Sequence, residues 1–151
     1  MTTEPKNETL DAPGATVAYD VRLNDTSSES ILFLIGSPMG AGGFGTLSGH
    51  FGDRTVVTYD PRGSERSVKT DPLSPSPPDV HADDLHRIIQ AIGGGPVDLF
   101  ASSGGAVNAL ALVEKYPDDV RTLVAHEPPL ASVLPDREYA LAAARAIHET
   151  Y

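Results

Sequence analysis

The 151-residue sequence has no cysteine and no tryptophan, and its aromatic residues amount to only 6%. Without cysteine there can be no disulfide and no thiolate-held metal, so packing and hydrogen bonding must hold the chain. No apolar run approaches the roughly 20 residues that a membrane-spanning helix needs. The opening stretch MTTEPKNETL lacks the basic end and the apolar segment of a secretory signal, so a cytoplasmic location is expected. Basic residues are scarce too: 11 Lys and Arg face 21 Asp and Glu, a formal charge of −10. Phosphate backbones and anionic lipids repel such a surface, so the expected partner is a small molecule, not nucleic acid or a membrane.

What is present is a 40% hydrophobic content, enough for one domain with its own core. Residues 1–13 are polar and are expected to be disordered. Val17, Tyr19, Val21 and Leu23 alternate as one side of a half-buried antiparallel strand. Ile31 to Ile35 and Thr55 to Tyr59 are apolar-rich runs of the kind that form strands covered on both faces. The first leads into a glycine-rich loop, Gly36 to Gly45, and a short helix over 46–50; the second leads into Asp60-Pro61-Arg62-Gly63-Ser64-Glu65-Arg66-Ser67. Four prolines in residues 70–78 mark an exposed linker. Leu85, Ile88, Ile89 and Ile92 then fall at helical spacing, with Asp79 starting the helix, Asp83 and Asp84 toward its positive end, and Gly93 closing it. Arg121 to Ala125 is a further strand, ending in His126-Glu127-Pro128-Pro129, and Asp136 is the N-cap of a last helix that reaches Tyr151 with no stop signal. Strands alternating with helices predict an α/β fold: a mostly parallel sheet, flanking helices and right-handed crossovers.

The chemistry concentrates at Pro96 to Asn108, PVDLFASSGGAVN. A buried strand here turns sharply into a helix that is apolar on nearly every side until Pro117. A serine at such a corner is held in a strained conformation above the strand's carboxyl end, where a substrate can reach it. The backbone crowds itself there, so the positions two before and two after the serine must be small. For Ser103 they are Ala101 and Gly105; for Ser102 one of them would be Phe100. Ser103 is therefore the candidate nucleophile.

Ala101-Ser102-Ser103-Gly104-Gly105 resembles the nucleophile elbow of the α/β-hydrolase fold, with alanine in place of the first glycine of G-x-S-x-G. Gly36-Ser37-Pro38-Met39-Gly40 is similar to the H-G-G-P-G loop of the proline iminopeptidase branch, with Ile35, Ser37 and Met39 as departures. Asp60 to Ser67 resembles that family's D-x-R-G-x-x-x-S loop, in which Gly63 permits a turn. The resemblance, which also reaches the cofactor-free haloperoxidases, implies hydrolysis of an ester, amide or related acyl bond through an acyl-serine at Ser103. The backbone NH groups of Ser37 and Gly104 would hold the oxyanion, and no cofactor or metal is implied. A serine in place of an aspartate sets the chain apart from the epoxide hydrolase and dehalogenase branches.

The likeness covers only the amino-terminal half of such a hydrolase, whose acid and histidine normally follow on later strands. The expected organisation is thus a core over 14–130, the start of a cap or lid helix over 131–151, and a sheet incomplete on its carboxyl-terminal side, with activity expected to be absent or impaired in these 151 residues. An exposed sheet edge would favour self-association. Within the chain, His126 ends the strand expected beside that of Ser103, about 4.8 Å away, and is the candidate base, with Glu127 next to it. His148 follows Ser103 in the family's chain order.

Two other readings stand beside this one. Gly40-Ala41-Gly42-Gly43-Phe44-Gly45 matches G-x-G-x-x-G, with Asp60 at the end of the next strand, as in a domain that binds NAD or NADP. Yet Gly36 to Met39 separate the strand from the first glycine, and Gly49 and Gly52 break the helix that should follow. A hydrolase remnant acting as an interaction module is the second. His81 and His86 with Asp83 and Asp84 make a weak pattern for a metal, better read as the polar side of a helix.

Overall fold

A computed structural model describes residues 4–150. The chain enters on a hairpin: β1 (Lys6–Ala12) runs antiparallel to β2 (Ala15–Arg22), in a register that pairs Ala12 with Ala15. Pro13 and Gly14 make the two-residue turn, with Gly14 at φ 75°, a conformation open to glycine. This corrects the expected disorder of the amino terminus. Each polar residue of β1 can face solvent because the strand pairs on one side only, while Leu10 and Ala12 pack on the core. Residues 1–3 lie outside the described residues.

The other strands are β3 (Leu32–Ile35), β4 (Val56–Tyr59), the two-residue β5 (Val68–Lys69), β6 (Val97–Ser102) and β7 (Val120–His126). The sheet order is β1-β2-β4-β3-β6-β7, with β5 attached to β2. β3, β4, β6 and β7 are mutually parallel, and β2 joins them antiparallel through β4. The α/β architecture is the expected one.

Alternation along the buried strands divides the core. Phe33 and Ile35 point to the face that also holds Val17, Tyr19, Val57 and Tyr59. There they meet Leu85, Ile88 and Ile89 of α2 (Pro78–Ala91) and Ala106, Ala109 and Leu112 of α3 (Gly104–Lys115). Leu32, Leu34 and Val56 point the other way, onto Phe44, Leu47 and Phe51. Those residues come from a 3-10 turn (Ala41–Phe44), the four-residue α1 (Gly45–Ser48) and the loop after it. Each fully buried Leu, Ile or Phe contributes about 1.5–3 kcal/mol, so both faces of β3 are locked to its neighbours.

β7 ends the sheet with one side unpaired among the described residues, and Val124 on it is 52% exposed. Beyond it, α4 (Arg137–Thr150) buries no residue and has the 3-10 turn Ala131–Val133 as its main neighbour. Among the described residues, no helix is long and apolar enough to cross a membrane.

Candidate active site

β3 has parallel neighbours on both sides, β4 on one and β6 on the other. The chain therefore changes direction across β3, and such a switch point opens a crevice beyond the carboxyl ends of the strands. Three loops enter it: residues 36–40 after β3, 60–67 after β4, and Ser103 after β6.

Ser103 sits between β6 and α3 at φ 55° and ψ −126°, a backbone conformation that costs a serine about 1–3 kcal/mol. What holds it there is close packing on both sides. Ala101 is fully buried, and a Cβ on Gly105 would lie 2.6 Å from the Ile35 carbonyl oxygen. The Ser103 amide also donates to the His126 carbonyl at 2.9 Å, tying the corner to β7. Ser103 itself is exposed, and with Ser37, Pro38, Met39, Ser64, Glu65 and Ser102 it lines an open cavity of about 640 Å³. A Cβ on Gly104 would stand 2.7 Å from the Ser37 carbonyl, so the first turn of α3 lies directly against the loop after β3.

The loop after β4 is a brace. Asp60, 2% exposed, accepts from the Ala41 amide at 2.8 Å and from the Arg66 amide and Nε at 3.2 and 2.6 Å. Burial alone would raise its carboxyl, but these donors outweigh it and hold the group below the ordinary carboxylate value. Ser67 Oγ accepts from the Ala18 amide at 2.9 Å and donates to the Asp60 carbonyl at 2.6 Å. Arg62 turns inward to a bidentate pair with Asp84 of α2, at 2.7 and 2.6 Å, and reaches the Pro13 carbonyl at 3.2 Å.

This bracing corrects the dinucleotide reading. The glycines from Gly40 to Gly45 form a 3-10 turn and the first residue of a four-residue helix, and a Cβ on Gly40 would lie 2.5 Å from Asp60 Oδ1. The Asp60 carboxylate is thus taken up by donors of Ala41 and Arg66 from two loops, where a dinucleotide site needs it on a ribose.

His126, the expected base for Ser103, lands beside Ser102. The parallel register pairs it with Ser102, and its Nδ1 lies 3.0 Å from Ser102 Oγ. Glu127, next along, is exposed at φ 49°. His148 lies far along the exposed α4.

The His and Asp residues of α2 disperse instead of converging. His86 Nδ1 is 2.6 Å from Asp119 Oδ2 and its ring stacks on Tyr116 at 3.9 Å. Asp83 takes the Tyr116 hydroxyl at 2.7 Å and pairs with Lys115 at 2.6 Å. Among the described residues, no three His, Asp or Glu side chains gather as metal ligands.

His81 is buried beside the Arg62–Asp84 pair, and its Nδ1 has no hydrogen-bond partner among the described residues. Burial pushes its imidazole below the ordinary value of 6.5, with Arg62 and Lys69 adding to this and Asp84 opposing it. The unfolded chain therefore binds the proton more readily. Stability should be flat above about pH 6.5 and fall as pH drops below it, and His81→Phe should remove that part of the slope. Urea midpoints across pH 5–7.5 test this; an unchanged slope in the variant would place the effect elsewhere.

The sequence places the three loops at the strand ends and Ser103 at the strand-to-helix corner, where the structure also has them, but it does not show the Ser102–His126 pairing or the position of Glu65. The first follows from strand register, which one added residue at the Val97/Asp98 irregularity shifts. The second depends on a backbone angle that no glycine announces.

Comparison with known proteins bears on the whole arrangement. The family model described as alpha/beta hydrolase fold matches residues 31–145. The uncharacterized hydrolase YraK of Bacillus subtilis is 37% identical over 133 residues, 87% of this chain and 48% of that protein. The chain thus spans about half the length of this curated relative. Among solved structures, a predicted CIB-like hydrolase of Thermoplasma acidophilum superposes with a TM-score of 0.72 at 17% identity, covering 83% of this chain and 63% of the other. The epoxide hydrolase CorEH gives 0.67 at 20% identity, over 80% and 41%. At those identities the structures speak for the shared fold alone.

Proposed function

The chain belongs to the α/β-hydrolase fold family, and on that premise we propose that it carries the nucleophile and oxyanion part of a serine hydrolase site for ester, amide or related acyl bonds. The observation that carries this reading is Ser103: a non-glycine residue at positive φ, exposed between a parallel strand and a helix amino terminus, in the wall of an open cavity. Its Oγ attacks the acyl carbonyl, and the bond to the leaving group breaks to give an acyl-serine that water then hydrolyses. The negative charge that appears on the carbonyl oxygen is met by the amides of Gly104, at the free end of α3, and Ser37, packed against it. His126 is bonded to Ser102, so this reading leaves the proton acceptor for Ser103 unassigned. The serine separates the site from epoxide hydrolases that attack with a carboxylate. The open edge of β7 supports self-association as part of the same proposal.

The test is a burst of nitrophenol from a p-nitrophenyl ester. The chain should release up to one equivalent with acylation of the Ser103 peptide, and Ser103→Ala should abolish it. A burst undiminished in that variant would overturn the proposal.

A further inference from the structure

Glu65 lines the same cavity as Ser103 and is the one charged side chain among its lining residues. Its backbone stands at φ 49°, on the side of the Ramachandran map that costs a side-chain-bearing residue on the order of 1–2 kcal/mol. A glycine would avoid that cost. The residue is exposed, and no described residue gives it a hydrogen bond or an ion pair. Arg66, next in the chain, is already committed: its two terminal nitrogens lie 2.9 Å from the Asp20 carboxylate and its Nε donates to Asp60. The Glu65 stem lies over Gly40, where a Cβ would come within 2.9 Å of Glu65 Cγ, so the loop after β3 fixes the root of the side chain. The other lining groups of this cavity are serines, Pro38 and Met39, none of which carries a charge, and Arg66 of the adjoining pocket is held by Asp20 and Asp60.

We infer that Glu65 determines specificity by selecting substrates that carry a positively charged nitrogen near the acyl bond. This rests on Ser103 being the nucleophile, because only then is the cavity a substrate pocket. The carboxylate would receive the ammonium group while an apolar arm of the substrate passes Met39 and Pro38. An anionic substrate is disfavoured by the same charge.

Amide shifts of Ser64, Glu65 and Ser103, followed by NMR on the full chain, test this with butylammonium and butanol as probes. Butylammonium should bind roughly fivefold tighter than butanol, as expected of one partly exposed ion pair. Glu65→Gln should remove that preference. Glu65→Gly should also remove it, and should melt roughly 2–4 °C higher because the strain is relieved. Equal binding of the two probes, a preference that survives Glu65→Gln, or a Glu65→Gly variant that melts lower would each overturn the inference. Failure of Ser103 to acylate while the ammonium preference persists would overturn the hydrolase reading and the specificity role with it, leaving Glu65 as a cation-binding group only.

Discussion

Alanine at Gly105 should cost the protein about 2–3 kcal/mol and lower its melting temperature by roughly 5–10 °C. The added Cβ would come within 2.6 Å of the Ile35 carbonyl oxygen and 2.8 Å of the Gly36 Cα and carbonyl carbon. All three are backbone atoms at the end of a fully buried strand, so none can swing aside. The helix would gain about 1 kcal/mol in propensity from alanine, which is too little to offset a clash of this depth. Relief can come only by lifting α3 away from β3, and that movement would also separate Gly104 from Ser37. The variant should therefore lose the ester burst in addition to stability. Gly42→Ala, with nothing within 4 Å of its Cβ, is the control and should change stability by less than about 0.5 kcal/mol. Thermal melts of the two variants side by side decide it; equal behaviour would mean that the strand-to-helix corner is looser than its contacts imply.

A still larger loss is expected from Asp84→Ala, about 3–5 kcal/mol. The Arg62 guanidinium is only 5% exposed and Asp84 is completely buried, so removing the carboxylate strands a charge inside the protein. Arg62 also ties the loop after β4 to α2 and to the β1–β2 turn through Pro13, which spreads the damage over three elements. Replacing both partners, Arg62→Met with Asp84→Leu, should recover most of the loss, because two apolar side chains of similar size need no desolvation. Urea unfolding of the single and double variants measures the difference. A single variant within 1 kcal/mol of the parent would show that water or another group reaches Arg62.

The difference between what the sequence displayed and what it concealed has a physical pattern. Ile31 to Ile35, Thr55 to Tyr59 and the Leu85-Ile88-Ile89-Ile92 spacing were readable because burial on both faces, or along one helical stripe, demands continuous or periodic apolar residues. Ala101 and Gly105 were readable because backbone crowding forbids side chains. β1 was overlooked although Leu10 and Ala12 alternate and Pro13-Gly14 is a hairpin turn, because an edge strand with one wet face can be mostly polar. β5 has two residues and no pattern to read. The place of His126 at the end of β7 is legible, but its bond to Ser102 is not, since strand adjacency does not fix register. The strained angle at Glu65 leaves no trace in composition: glutamate occurs anywhere on a surface, and its meaning comes from the cavity it borders.

The account depends most on one serine among neighbours that look alike. Treating the folded chain with a fluorophosphonate and mapping the modified peptide, beside Ser103→Ala and Ser102→Ala variants, addresses it directly. An adduct should form on Ser103, persist in Ser102→Ala and vanish in Ser103→Ala. An adduct on Ser102, which already has His126 at 3.0 Å, or no adduct on a chain shown to be folded, would contradict it.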